Sequence, residues 1–162
     1  MQKRKIPALS ILSIHRTRFP LLIVAVSLLV FLPSFISMPA DLDKDVLTWT
    51  NQFRRSNGMK ELIMREDLNE IARKHSEDMA KGKTDFGHDG FEKRYSKVRK
   101  IFKSCTAAEN VAYGATTGKD AVTQWKNSSP HRHNLLGDYR YIGIGTARDR
   151  EGRIYYTQIF VG

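Results

Sequence analysis

The sequence predicts a small mixed α/β domain in which helices cover a short sheet. Apolar residues recur at helical spacing in three places, around positions 42–53, 68–79 and 121–125. Two runs rich in Ile, Tyr, Thr and Val stand at the C-terminal end, separated by the charged segment Arg148-Asp149-Arg150-Glu151-Gly152, which is the pattern of a hairpin.

The first helix is predicted from Leu42, Val46, Trp49, Thr50 and Phe53, with Asp41 or Asp43 to cap its start and Gly58 to end it. Leu68, Ile71, Ala72, His75 and Met79 repeat the pattern, and Gly82 supplies the stop. From Thr84 to Cys105 the periodicity breaks, and only Phe91 to Val98 reads as a short helix. Thr117 with Asp120 three residues on resembles a capping box and opens a helix that places Ala121, Val122 and Trp125 on one face. That helix must stop by Pro130. In the first hairpin strand, Tyr141 to Ala147, Gly143 and Gly145 alternate with Ile142 and Ile144, so one face is bare and accepts a close neighbour while the other buries aliphatic groups. The second strand is Ile154 to Val161. Cys105 is the sole cysteine, which excludes a disulfide within the chain; it reads as a buried thiol near the start of a strand.

Residues 1–40 read differently from the rest. Lys3, Arg4, Lys5, Arg16 and Arg18 are five cations with no acid among them, and an uncharged run follows from Phe19 to Met38. A helix of that length spans about 30 Å, the thickness of a hydrocarbon core. The cation excess keeps its leading end in the cytoplasm, so the remainder faces outward. Pro33 shortens the unbroken apolar helix to Leu21–Leu32, which suits a signal peptide, but cuts after Ala40 or Ser37 would place Met38 or Phe35 where small residues are required. The balance favours a single-pass anchor in the cell membrane with the domain outside; the alternative is a cleaved leader and a secreted domain.

The remaining 122 residues, 41–162, suffice for one domain with one core. Five of the 27 Lys and Arg residues belong to the leader, leaving 22 against 17 acids, a net charge of +5. Such a balance suits contact with anionic lipid, glycan or wall polymer. It does not point to nucleic acid, because no basic stripe interleaved with aromatics and no recognised module is present. The cluster Lys93, Arg94, Lys97, Arg99, Lys100 and Lys103 reads as a solvated face.

Polar groups able to do chemistry are His88 in Gly-His-Asp, Glu109 in Ala-Ala-Glu-Asn and His131 in Ser-Pro-His-Arg-His. Their spacings of 21 and 22 residues match no local metal motif, so spacing alone does not assemble them. His75, on an apolar helix face, reads as a packed, hydrogen-bonded core residue, and His133 points away from His131 if the backbone is extended. Ser128 and Ser129 beside His131 lack a nucleophile elbow, which argues against a serine hydrolase. Gln158 and Tyr156, on one side of the last strand, either line a cleft or are ordinary sheet residues.

Several motifs then stand in an order that carries a resemblance. They are Asn51 with Arg54, Ala-Arg-Lys-His-Ser-Glu-Asp-Met at 72–79, Gly87-His88, Ala-Glu-Asn-Val-Ala at 108–112, and Trp125 followed by Ser128 and His131-Arg132. Asn134-Leu135-Leu136, Ile-Gly-Ile-Gly at 142–145 and Tyr-Thr-Gln-Ile-Phe at 156–160 complete the series. The chain from 45 to 162 resembles the CAP superfamily of cysteine-rich secretory proteins, antigen 5 and plant pathogenesis-related 1 proteins, in its short, cysteine-poor bacterial branch. The resemblance implies an α-β-α sandwich and a central cleft lined in many members by two histidines and two glutamates. By motif these fall on His88, Glu109 and His131, while the fourth position departs, with Ser128 where many relatives carry glutamate. Two imidazoles and one carboxylate can hold Zn²⁺ or a similar divalent ion with a coordination position left open. Glu109 can alternatively act as a base or fix a histidine tautomer.

Three function classes follow. The leading one is a non-catalytic extracytoplasmic binding or effector module using the cleft. The second is a metal-assisted hydrolase acting on an envelope or extracellular substrate, with His88 and His131 as ligands and Glu109 as ligand or base. The third is a structural interaction domain on an anionic surface.

Overall fold

The computed structural model describes residues 41–162; the leader and its anchor or signal-peptide reading lie outside the described residues. In chain order the elements are α1 (Leu42–Ser56), β1 (Ile63–Met64), α2 (Glu66–Ala80), α3 (Phe91–Ile101), β2 (Ala107–Tyr113), α4 (Gly118–Asn127), α5 (Ser129–Leu135), β3 (Tyr141–Arg148) and β4 (Ile154–Val161). The four strands form one sheet in the order β1-β3-β4-β2, with β1 parallel to β3 and the other pairs antiparallel. No helix among the described residues is long and apolar enough to cross a membrane.

Strand alternation sends side chains to two cores, and this makes the three layers. On one face Ile142, Ile144, Tyr156 and Phe160 pack with Val46 and Phe53 of α1, Ala121, Val122 and Trp125 of α4, and Leu135 of α5. On the other, Ile159 and Val161 meet Leu68, Ile71 and Ala72 of α2 and Val98 of α3. The result is an α-β-α sandwich with the expected C-terminal hairpin. The predicted stripe of α2 is buried throughout, from Leu68 to Met79.

The bare face of β3 receives α2. A methyl group placed on Gly145 would lie 2.0 Å from the Arg73 nitrogen, and one on Gly143 would lie 2.4 Å from the Leu68 carbonyl carbon. Side chains then lock the contact. Asn69 Oδ1 accepts from the Ile144 amide at 2.8 Å, and Ser76 Oγ donates to the Gly145 carbonyl at 2.8 Å.

Local signals place the helix ends. Asp41 accepts from the Lys44 amide at 3.3 Å, and Gly58 follows α1 at φ +73°. Thr117 Oγ1 accepts from the Asp120 amide at 3.1 Å to open α4. Three features depart from the sequence expectation. β2 forms from Ala-Ala-Glu-Asn-Val-Ala-Tyr, a run with little β-branched character, because β4 pairs with it along its whole length. Pro130 does stop α4, yet it also sits in the first turn of a new helix, α5, where a missing N–H costs nothing. Cys105 is half-buried, two residues ahead of β2, and not enclosed.

Candidate functional site

β2 lies at an edge of the sheet, so its outer side is free to receive side chains from neighbouring elements. α5 is stitched to it: Asn134 Nδ2 donates to the Glu109 carbonyl (3.2 Å) and to Asn110 Oδ1 (3.0 Å), and Asn110 Nδ2 donates to the His131 carbonyl (3.2 Å). Glu109 stands opposite Ile159, on the α2 and α3 side, whereas Asn110 stands opposite Gln158, on the other. Residues from both faces thus meet around this edge. His88 comes from the segment between α2 and α3, and His131 from α5; their ring centres are 6.4 Å apart.

Glu109 is buried and holds the cluster together. Arg94 grips it with two parallel hydrogen bonds, Nε to Oε2 at 2.6 Å and Nη2 to Oε1 at 2.7 Å. The same guanidinium donates to the Asp89 carbonyl (2.8 Å) and the His88 carbonyl (3.3 Å), tying the His88 segment to α3. His88 Nδ1 lies 3.0 Å from Glu109 Oε1 and donates to the carboxylate, which leaves Nε2 open. The His88 side chain is 51 % exposed and that of Glu109 2 %, so one faces visitors and the other does not. His131 Nδ1 is 2.8 Å from Ser128 Oγ, a local contact across three residues. A shallow depression of about 270 Å³ opens here, lined by His88, Phe91, Ala107, Ala108, Glu109 and Asn134.

Several expectations change. Arg94 does not belong to a solvated basic face: only 9 % of it is exposed, because α3 turns it inward on the stripe of Val98, four residues on. An arginine on an otherwise apolar stripe was the signal in the sequence. His75 is a buried, hydrogen-bonded residue as expected, and its Nε2 donates to the Gly87 carbonyl at 2.9 Å, but it also stands 3.9 Å from Glu109 Oε1 and so floors the site. Gln158 is not in the depression. It is sealed in the interior, its Nε2 donating to Thr50 Oγ1 at 2.9 Å and its Oε1 accepting from Asn110 at 3.3 Å. Tyr156 is buried too, donating to the Ala115 carbonyl, and burial pushes its hydroxyl up to about 12. His133 is exposed because two helical residues lie roughly opposite, not because the backbone is extended.

The residues do not fit a three-ligand zinc centre as arranged. Both oxygens of Glu109 accept from Arg94, and one accepts from His88 as well. Among the described residues no three His, Cys, Asp or Glu gather in a way that could hold a metal ion.

Burial pushes His75 below the ordinary histidine value; the Gly87 carbonyl opposes this and the Arg94 guanidinium adds to it. Burial also lowers His131, with His88 adding to the effect. Once pH falls below about 6.5, the unfolded chain therefore binds more protons than the folded one. Stability is full above that pH and is lost as pH falls, by at most about 1.4 kcal/mol per pH unit for each histidine. Urea unfolding between pH 5 and 8 is expected to show this slope, shallower in His75→Gln, which keeps a donor for Gly87. Equal slopes in the two proteins would assign the acid sensitivity elsewhere.

The comparisons agree with this architecture. The model of the CAP family, described as the cysteine-rich secretory protein family, matches residues 47–160. In Bacillus subtilis (strain 168) the chain is 36 % identical to the protein YkwD over 126 residues, covering 74 % of this chain and 47 % of YkwD. It is 35 % identical to the membrane protein YlbC over 125 residues, covering 74 % of this chain and 34 % of YlbC. The chain thus spans less than half the length of either relative. The crystal structure of an extracellular protein containing a SCP domain from Bacillus anthracis str. Ames superposes with a TM-score of 0.62 at 26 % identity, over 73 % of this chain and 39 % of that one. With the family model spanning most of its described residues, the chain belongs to the CAP family of cysteine-rich secretory proteins.

Proposed function

We propose that this chain is an extracytoplasmic CAP-domain binding module, tethered to or released from the membrane by its leader, that receives an envelope ligand at the exposed edge formed by His88 and His131 without catalysing a reaction. The observation that carries this reading is the state of Glu109. A general base or a metal ligand needs an oxygen that a visitor can reach, whereas the Glu109 side chain is 2 % exposed and Arg94 bonds to both of its oxygens. What remains open is the Nε2 side of His88 above an apolar depression, a hydrogen-bonding group over a hydrophobic floor. That YlbC is a membrane protein supports the association with a membrane, and that the Bacillus anthracis protein is extracellular supports the outer location.

The metal-assisted hydrolase alternative requires Glu109 to leave Arg94. Assays with peptide, ester and glycan substrates are expected to give the same background rates for the full chain and for Glu109→Gln. A Glu109-dependent rate, or a Zn²⁺ titration whose heat needs His88, His131 and Glu109 together, would reinstate that alternative. Binding is tested by titrating solubilised cell-wall glycan fragments and phospholipid micelles against the chain while following the histidine NMR signals. The His88 and His131 resonances are expected to move with one probe; resonances unmoved by both would overturn a ligand at this edge.

A further inference from the structure

Three aromatic rings stand in a row outside both cores. Phe86 and Tyr113 are 48 % and 49 % exposed, two of the three large apolar side chains that the described residues leave open to solvent. Their ring centres are 4.7 Å apart, and the half-buried Tyr155 continues the row, 6.0 Å from Tyr113 with the two ring planes 23° apart. Strand pairing builds it: Tyr113 ends β2 directly opposite Tyr155 of β4, and Phe86 comes from the segment between α2 and α3, two residues ahead of His88. Tyr113 shares the β2 face of Glu109, about 13 Å further along the strand. Among the described residues Tyr95 and Tyr156 give their hydroxyls to carbonyls, whereas those of Tyr113 and Tyr155 have no partner. Beyond Tyr155 the surface opens into a broad depression of about 820 Å³ lined by Arg148, Arg150 and Arg153 and by Asp149 and Glu151. Both acids are bound to Arg153, at 2.8 and 2.7 Å, so the charges of Arg148 and Arg150 are left over.

We propose that the row Phe86–Tyr113–Tyr155 is a stacking platform for a glycan of pyranose rings, and that Arg148 and Arg150 at its end receive carboxylates carried by those sugars. Rings that contribute to no core and stay in water mark a contact surface. A pyranose suits this one because it has two kinds of rim. Its axial C–H bonds, slightly positive, lie on the negative face of an aromatic ring, while its hydroxyls need hydrogen-bonding partners, which the two free tyrosine hydroxyls supply. The unneutralised guanidinium groups add the preference for an acidic sugar, since each can hold a carboxylate with two parallel bonds. A proline-rich peptide would use the rings but not the arginines, and a simple polyanion the arginines but not the rings. The proposal rests on the outer location given above and does not require a ligand at His88 and His131.

The test titrates the full chain, held in phosphatidylcholine nanodiscs, with a peptide-free tetrasaccharide of alternating N-acetylglucosamine and N-acetylmuramic acid, which carries carboxylates, and with N-acetylchitotetraose, which does not. Calorimetry gives the affinities, and the ring NMR signals of Phe86, Tyr113 and Tyr155 give the place. All three signals are expected to move with both sugars, and the acidic one is expected to bind more tightly. Tyr113→Leu keeps an apolar side chain on the strand but loses the flat ring, and is expected to weaken both sugars roughly ten-fold, as is Phe86→Ala. Arg150→Gln is expected to weaken the acidic sugar roughly five-fold and to leave N-acetylchitotetraose unchanged, while Lys97→Gln on α3 alters neither. Ring signals that neither sugar moves, or full affinity in Tyr113→Leu, would overturn the proposal. So would a proline decamer or inorganic polyphosphate that moves the same signals at equal affinity, which would assign the row to a peptide or to a simple polyanion. The histidine signals are scored separately: if they move while the rings do not, the platform fails and the histidine edge stands, and if the rings move alone, the platform stands without it.

Discussion

Gly145→Ala is expected to cost roughly 3 kcal/mol or more, the upper end of what overpacking does. The new methyl group would meet Arg73 nitrogen at 2.0 Å, Arg73 Cα at 2.3 Å and the Ala72 carbonyl carbon at 2.6 Å, all main-chain atoms of α2. No rotamer change relieves such a contact, so the helix has to lift. Lifting it stretches the Ser76 bond to the Gly145 carbonyl and the Ser76 contact with Thr157 Oγ1, both 2.8 Å, and opens the layer that buries Leu68 and Ala72. Against a total of about 5–15 kcal/mol for a domain, that is a large share. Adding Gly143→Ala removes the second close approach and is expected to leave no cooperative transition. Urea unfolding measures the effect, with Gly152→Ala as a comparison: it sits in the exposed hairpin turn at φ +83° with nothing within 4 Å, so its cost is conformational, about 1 kcal/mol. Equal midpoints for Gly145→Ala and Gly152→Ala would mean that α2 does not need the bare strand face.

That glycine pair shows what kind of structure a sequence displays. Alternation of Gly with Ile speaks about one strand and its immediate neighbour, and both the bare face and the buried face were readable from it. The same holds for the α2 stripe and for the Thr117–Asp120 cap, where the determining partners lie within a turn or two. β2 was not readable in this way. Ala107 to Tyr113 becomes a strand only because β4, some fifty residues away, offers it a ladder of partners. Pro130 was read as a stop, and the rule it obeys has a second half: the residue that ends one helix also starts the next.

At the site, local pattern named His88 and Glu109 but not what stands between them and chemistry. The motifs that carry the family resemblance turn out to be largely scaffold. Asn51 pairs with both the amide and the carbonyl of Leu62, and Arg54 donates to the carbonyls of Lys60, Leu135 and Gly137. Asn134 and Asn110 sew α5 to the edge strand. For Gln158 the sequence left two readings, a cleft lining or an ordinary sheet residue, and strand alternation turns it inward, away from Glu109. Arg94 was masked by its neighbours: five other cations between 93 and 103 made it look like one more solvated charge.

Arg94→Met is the variant expected to expose that role most clearly. It leaves the Glu109 carboxylate buried without its counter-charge, which costs about 3–5 kcal/mol, and it frees the His88 and Asp89 carbonyls that the guanidinium held. Arg94→Lys is expected to recover little, because a single ammonium cannot make two parallel bonds to the carboxylate and reach the two carbonyls as well. Pairing Arg94→Met with Glu109→Leu removes both charges and restores much of the loss, so the double-mutant cycle shows strong coupling. Urea unfolding of the four proteins gives the coupling, and the His88 NMR signal gives a second readout. It is expected to broaden in Arg94→Met and to stay broad in the double variant, since stability returns there but the anchor of the His88 segment does not. Additive costs with an unchanged His88 signal would mean that the ion pair neither holds Glu109 nor positions His88, and Glu109 would again be free to act as a base.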